Sequence, residues 1–450
     1  MIALKENLDI YLAAFEELEK RRRSSDGVWL RDLRRRALER FLELGFPTTR
    51  VEEWKYTNVA PIARTCFQPA EPMAPAPVAE MLSRAPFADL QCPRLVFVNG
   101  RHAPELSCLR GLPQGVKAGS LASALKEEAA EQHLARYAAF HSQAFVALNT
   151  AFFQDGAFVQ IAPEAVLESP LHLLFVSTAA DPPLLTHPRN LLLVGPHSQA
   201  TIIEGYLGPE GGAYFTNAVT ELVVEEGATL EHYKLEQESE QAFHVATVQA
   251  RQARHSNLLD HSVCLGGALV RNDTASLLDG EGGECTLNGL YVTRGQQHVD
   301  NHTVLDHAQP HSSSREYYKG VLDGYSTGVF NGGIVVRKAA QKTDAIQSNK
   351  NLLLSEHAAI NTKPQLQIWA DDVRCTHGAT IGQLDAEAIF YLRTRGIALE
   401  QARRLLTFAF ANDVINRMKV EAVRLRLEKA LFDRLSLGAT FRSPQGHGAG

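Results

Sequence analysis

No two of the six cysteines form a C-x-x-C pair; Cys66, Cys92, Cys108, Cys264, Cys285 and Cys375 lie scattered along the chain. Such scatter argues against a disulfide framework, and against a zinc or iron–sulfur site that this chain closes by itself. Gly-Lys is missing as a dipeptide. A Walker-type loop needs that lysine directly after its last glycine to reach the phosphates, so the chain is not expected to hydrolyse nucleotides on its own. Long apolar runs are absent too. The opening MIALKENLDIYLAAFEELEK carries acids throughout, and no later stretch approaches the roughly 20 apolar residues that cross a bilayer, so neither a secretory signal nor a membrane span is expected. Nor is there an excess of positive charge: 45 lysines and arginines face 51 acids, for a net charge of −6. The basic runs at Lys20–Arg23 and Arg31–Arg36 are interleaved with acids in helix-like sequence, which makes them solvated helix faces rather than a phosphate-binding patch. These absences point to the reducing cytosol, with neither nucleic acid nor membrane as partner.

What is present is enough apolar residue, 45% of 450, to build a large core. Residues 1–150 open with apolar positions at helical spacing (Leu8, Tyr11, Leu12, Phe15, then Leu30, Leu33, Ala37, Phe41), which predict two amphipathic helices stopped by Gly45 and Pro47. The proline- and alanine-rich segment 69–78 predicts an extended linker, and the stretch from Ser120 to Phe140 a helix. Residues 151–390 change character. Short β-branched runs (FVQIA, LHLLFV, TELVVEEGATL, GVFNGGIVV, LQIWADD) follow one another, each broken by glycine, asparagine or aspartate, with almost no room for helices between them. That excludes a doubly wound α/β domain and leaves a sandwich, a barrel or a β-solenoid. The number of runs favours the solenoid, although no strict repeat is visible. Residues 391–450 return to helical periodicity, with more apolar surface in LLTFAFANDVINRM than an isolated terminal helix needs, and end in a tail, SPQGHGAG, expected to be disordered.

Four stretches carry candidate chemistry. GYSTG around Ser326 matches a serine-hydrolase elbow, but a strand-like run follows where the elbow requires a helix. LDGEGGECTLNG places Cys285 where a dinucleotide fingerprint needs its third glycine. QHVDNHTVLDHAQPH offers His298, Asp300, His302, His307 and His311, readable either as metal ligands or as turn residues bonding backbone groups. DDVRCTHGATIGQLD sets Cys375 and His377 on one face of a strand, where thiol and imidazole suit a soft or borderline metal. Two ligands do not close a site, and a buried thiol beside a hydrogen-bonded histidine explains the pair as well.

TRVEEWKYTN (49–58), SNKNLLLSEHAAINTKPQLQIWADDVRCTHGATIGQLD (348–385) and EAIFYLRTRGI (387–397) closely resemble the SufD family of scaffold subunits of the SUF iron–sulfur cluster assembly machinery. ALNTAFFQDGAFVQIAPEAVLESPLHLLF, from Ala147, is similar to the entry into the β-domain of the SufB and SufD superfamily. The resemblance implies a right-handed parallel β-helix between N-terminal and C-terminal helical regions. It implies pairing with SufB through the β-helix, binding of the SufC ATPase through the C-terminal helices, and a homodimer when the chain is alone. It further implies a transient iron–sulfur cluster shared with SufB, with His377 linked to the nascent cluster and Cys375 nearby, and a scaffold rather than an enzyme. A SufB-type paralogue and a β-helical hydrolase or lyase are the alternatives.

Overall fold

The structure is a computed structural model and describes residues 8–70, 75–83 and 90–437. The glycine-broken runs of the middle region all form strands, and from Arg189 onward successive strands alternate between two sheets. Tyr214–Val224 pairs in parallel with Phe243–Gln252, which pairs with Leu269–Leu278; the strands between them pair likewise in the second sheet. The product is a parallel β-solenoid of about 8 turns in a mainly β chain. Its steps are unequal. Along the second sheet Thr229 faces Asn257, then Glu284, Ser313, Asp344 and Arg374, so loop lengths vary while the strand register does not. This conceals the repeat from inspection of the sequence.

In-register stacking turns alternate residues into columns that run inside the tube. Leu173, Ile202, Leu222, Leu230, Leu287, Val299 and Ile334 fill much of it. Tyr318 leans across Gly289 in the preceding coil and Tyr291 across Gly320 in the following one; a Cβ at either glycine would stand 2.0 or 2.4 Å from a ring carbon. Polar residues also enter the tube in satisfied sets: His232 sits 2.6 Å from Asp260 and 3.0 Å from Glu204, and these carboxylates outweigh burial to push its pKa up to about 9.

Among the described residues the tube is closed at one end only. There Val116–Ser120 runs antiparallel to Ala157–Ile161, and Arg101–His102 antiparallel to Arg94–Val98, so the free edges of the first coil are covered. Helices Leu8–Arg22, Val28–Leu44 and Ala144–Phe152 pack over the outer face of the first sheet on Leu191, Phe215, Val219 and Val223. Gly45, at φ 61°, terminates the second of these as expected, its N–H bonding Phe41 O at 2.7 Å. Helices Leu399–Ile415 and Glu421–Leu437 cover the outer face of the second sheet, placing Ala411, Val414, Ile415, Val423, Leu427 and Leu431 on Tyr233, Leu235, Val263 and Leu290.

Two local expectations fail. The segment from Pro75 is not extended but helical through Ser83, with Val78 and Leu82 buried against Val96, Leu174 and Leu207; proline is tolerated in the first turn of a helix, so its presence there breaks nothing. The helix expected from Ser120 to Phe140 is split into Leu121–Ala124 and Glu128–His133. The buried carboxylate of Glu221 accepts the N–H groups of Ala135, Tyr137 and Ala138 at 2.8 to 3.0 Å, which turns the chain away from helical geometry. Arg189, also fully buried, pairs with Glu221 at 2.6 Å. The expected tail 443–450 lies outside the described residues.

Candidate functional site

The last coil, Ala359–Ile368 followed by Arg374–Gly382, forms the outermost strand of both sheets, and no further strand pairs with either among the described residues. Cys375, His377, Ala379 and Ile381 stack on Ala345, Gln347, Asn349 and Asn351. Those four partners are buried inside the tube. Cys375 and His377 therefore belong to interior columns and share a face, as the period of two predicts. They are accessible only because nothing stacks above them. Cys375 is half-buried against the core, and His377 is exposed.

Burial raises the pKa of the Cys375 thiol, and Asp344 adds to the effect. A thiolate there needs a metal or cation to form. Below His377 lies a floor unannounced by the sequence. Gln347 Nε2 donates to Glu316 Oε2 at 2.6 Å, and burial pushes the Glu316 carboxyl up to about 7. Gly332 makes room for the amide, since a Cβ there would fall 2.2 Å from Gln347 Nε2. The other oxygen of Glu316, Oε1, and the single amide oxygen of Gln347 have no hydrogen-bond partner among the described residues. On the last coil and just beyond its first strand Ile381 (50% exposed) and Trp369 (58%) are exposed apolar side chains, and Phe390 (69%) and Tyr391 (58%) are exposed on helix Ala386–Thr394, which follows it in the chain. Among the described residues no three His, Cys, Asp or Glu side chains gather as a metal site. The thiol and imidazole thus make a partial donor set, suited to a soft or borderline ion and open on its outward side.

The histidine run has other employment. Thr57 Oγ1 donates to Asp300 Oδ2 at 2.5 Å and lies 2.8 Å from His298 Nε2. Arg271 Nη1 donates to Asp300 at 2.6 Å and to Glu53 O at 2.8 Å, while its guanidinium sits 4.3 Å from the centre of the Trp54 ring. Burial alone would raise the Asp300 pKa, but Arg271 and His302 outweigh it and hold the carboxyl well below the usual carboxylate range. His307 bonds Ser312 and Ser314, and burial lowers its pKa to about 4; His311 adopts φ 59° in a turn. His298 and Asp300, with Arg271, fasten the EEWKYT loop on the solenoid, while His307 and His311 serve local turn structure. Ser326 is fully buried in a turn, accepts from Thr293 Oγ1 at 2.9 Å, and is followed by strand Thr327–Val336, so the hydrolase elbow is excluded. Cys285 is buried within the tube.

The family model described as the SUF system FeS cluster assembly, SufBD core domain matches residues 175–410, and that of the SufBD protein N-terminal region matches residues 5–173. An iron-sulfur cluster assembly SufBD family protein of Synechocystis is 34% identical over 86% of this chain and 87% of its own length. The iron-sulfur cluster assembly protein SufD of Escherichia coli is 31% identical over 89% of this chain and 92% of its own, and the protein of the same name in Bacillus subtilis is 25% identical over 93% and 95%. By its solenoid, by both family models and by relatives matched along nearly their whole length, the chain belongs to the SufBD family of iron–sulfur cluster assembly proteins and is a homologue of SufD.

Proposed function

We propose that this chain is the SufD-type scaffold subunit of a SUF assembly complex, pairing with SufB at the open end of the solenoid and contributing His377 to a nascent iron–sulfur cluster held between them. The observation that carries the reading is the uncovered last coil. It presents imidazole and thiol donors, free strand edges and an apolar rim in one place, each of which a second β-helix could complete. The cluster is cargo: the partner supplies the remaining ligands, and none is retained by this chain alone. His377 leads Cys375 because an imidazole coordinates in its neutral form, whereas burial makes the thiol harder to ionise. The reading includes the reducing cytosol as compartment and no catalytic turnover by this chain.

Co-expression with SufB and SufC, anaerobic purification and analysis of iron and sulfide test it. His377→Ala should leave the complex assembled and lower its cluster content sharply, with Cys375→Ser milder. Assembled His377→Ala complexes with undiminished iron and sulfide overturn the assignment.

SufC docks, in this reading, on the outer face of the C-terminal helices. Their inner face is occupied by the solenoid, but Leu405, Leu425 and Phe432 remain exposed. Removing everything from Leu399 onward would strip the cover from Tyr233 and Leu235, so point changes are the cleaner probe. Leu405→Asp with Phe432→Asp should abolish co-purification with SufC while leaving the fold intact; retained SufC refutes the docking face.

A further inference from the structure

Between the second sheet and the C-terminal helices lies a groove of about 320 Å³ lined by four arginines, Arg294, Arg403, Arg404 and Arg434, with Asp323 and Glu400 as the acids in its wall. The arginines are not equivalent. Arg434 is a strut: Nε donates to Val292 O at 3.2 Å, Nη2 to Gln297 Oε1 at 2.6 Å, and Nη1 lies 3.4 Å from Glu240. Arg294 donates through Nε to the same Glu240 at 2.7 Å, its one side-chain hydrogen bond among the described residues. The Arg403 guanidinium donates one hydrogen bond among the described residues, to Leu354 O at 3.3 Å. Arg404 has no carboxylate within 4.0 Å among the described residues, although Glu400 lines the same groove. Asp323 turns an oxygen to the Gly324 N–H at 2.8 Å. The groove therefore holds more guanidinium than carboxylate in a chain whose net charge is negative. Burial, and then repulsion from Arg294, lowers the Arg434 pKa to about 10, a cost that an anion between them would relieve.

We propose that this groove binds a small molecule carrying at least two phosphate groups, held by Arg294, Arg403 and Arg404 over Arg434 as a fixed positive floor. Guanidinium forks match phosphate oxygens in pairs, and several forks around one volume favour a polyphosphate over a single phosphate. The space falls within the range of small-molecule sites and exceeds what one phosphate fills. The groove owes nothing to a Walker loop, which the chain lacks, and the proposal is of binding. The site rests on this chain alone and is independent of the pairing with SufB.

Calorimetric titration of the full chain with inorganic pyrophosphate, and separately with inorganic phosphate, tests it. One saturable site is expected for pyrophosphate, weaker for phosphate, and weaker for both as salt rises. Arg404→Gln removes a side chain with no ion pair among the described residues, so it should keep the thermal midpoint and weaken pyrophosphate about tenfold, the loss of one charge-assisted contact. Glu400→Gln, which subtracts negative charge from the wall, should tighten it. Absence of pyrophosphate binding, equal affinity for the two anions, or an unchanged affinity in folded Arg404→Gln each overturns the proposal.

Discussion

Glu316 is a carboxylic acid shut inside the tube, and its raised pKa makes a directional prediction. Between its ordinary value of 4.5 and about 7 the folded chain keeps a proton that the unfolded chain has lost, so this group's contribution to stability falls as pH rises through that window. Glu316→Gln removes the titration. Relative to the parent, the variant should gain up to about 3 kcal/mol in urea unfolding between pH 5 and pH 8; a pH-independent difference would refute the buried neutral acid. At Gly289 the limit is steric, because an added Cβ meets the Tyr318 ring at 2.0 Å. Gly289→Ala should cost about 1 to 3 kcal/mol by overpacking, read as a shift in denaturant midpoint at constant slope. Neither residue announces itself in the sequence. The shared face of Cys375 and His377 was legible because strand periodicity is local, but their exposure was not, since it depends on the coil that does not follow.

Among the elements, the EEWKYT loop carries information that its sequence conceals. Thr57 and Trp54 fasten the N-terminal region to residues more than two hundred positions away, and His298 and Asp300, from the run readable as metal ligands or turn residues, belong with Arg271 to the receiving half of that joint. Thr57→Val leaves Asp300 without one of its donors in a buried place, and should destabilise the chain by about 1 to 3 kcal/mol, with proteolysis opening first in the N-terminal region. Periodicity gave the amphipathic helices and the strands correctly. It failed from Ser120 onward because the Glu221 carboxylate, distant in sequence, outbids helical bonding for three amides. It underestimated the C-terminal helices in the opposite sense. Their apolar surplus suggested a partner, yet part of it is spent on the solenoid wall, so Leu427→Asp should lower the thermal midpoint of the whole chain while Phe432→Asp leaves it in place.

Across the whole molecule, each sheet has one face inside the tube and part of the other under helices, and the free edges are concentrated at one end. That fold was legible from the density of short strands, whereas the asymmetry of its ends was not, because the cap is made by short antiparallel pieces with no distinctive pattern. The uncovered end should make the purified chain self-associate at high concentration. Trp369→Lys with Ile381→Lys should shift sedimentation toward the monomer without changing the fold; an unchanged distribution would place any association elsewhere. The placement of cap and opening also sets an order of events during synthesis. A ribosome delivers the N-terminal cap first, so each new coil emerges beside a finished edge on which it can be templated. The apolar side chains of the last coil, Trp369 and Ile381, are translated after every coil beneath it, so this rim is added to a body whose other coils have already been made.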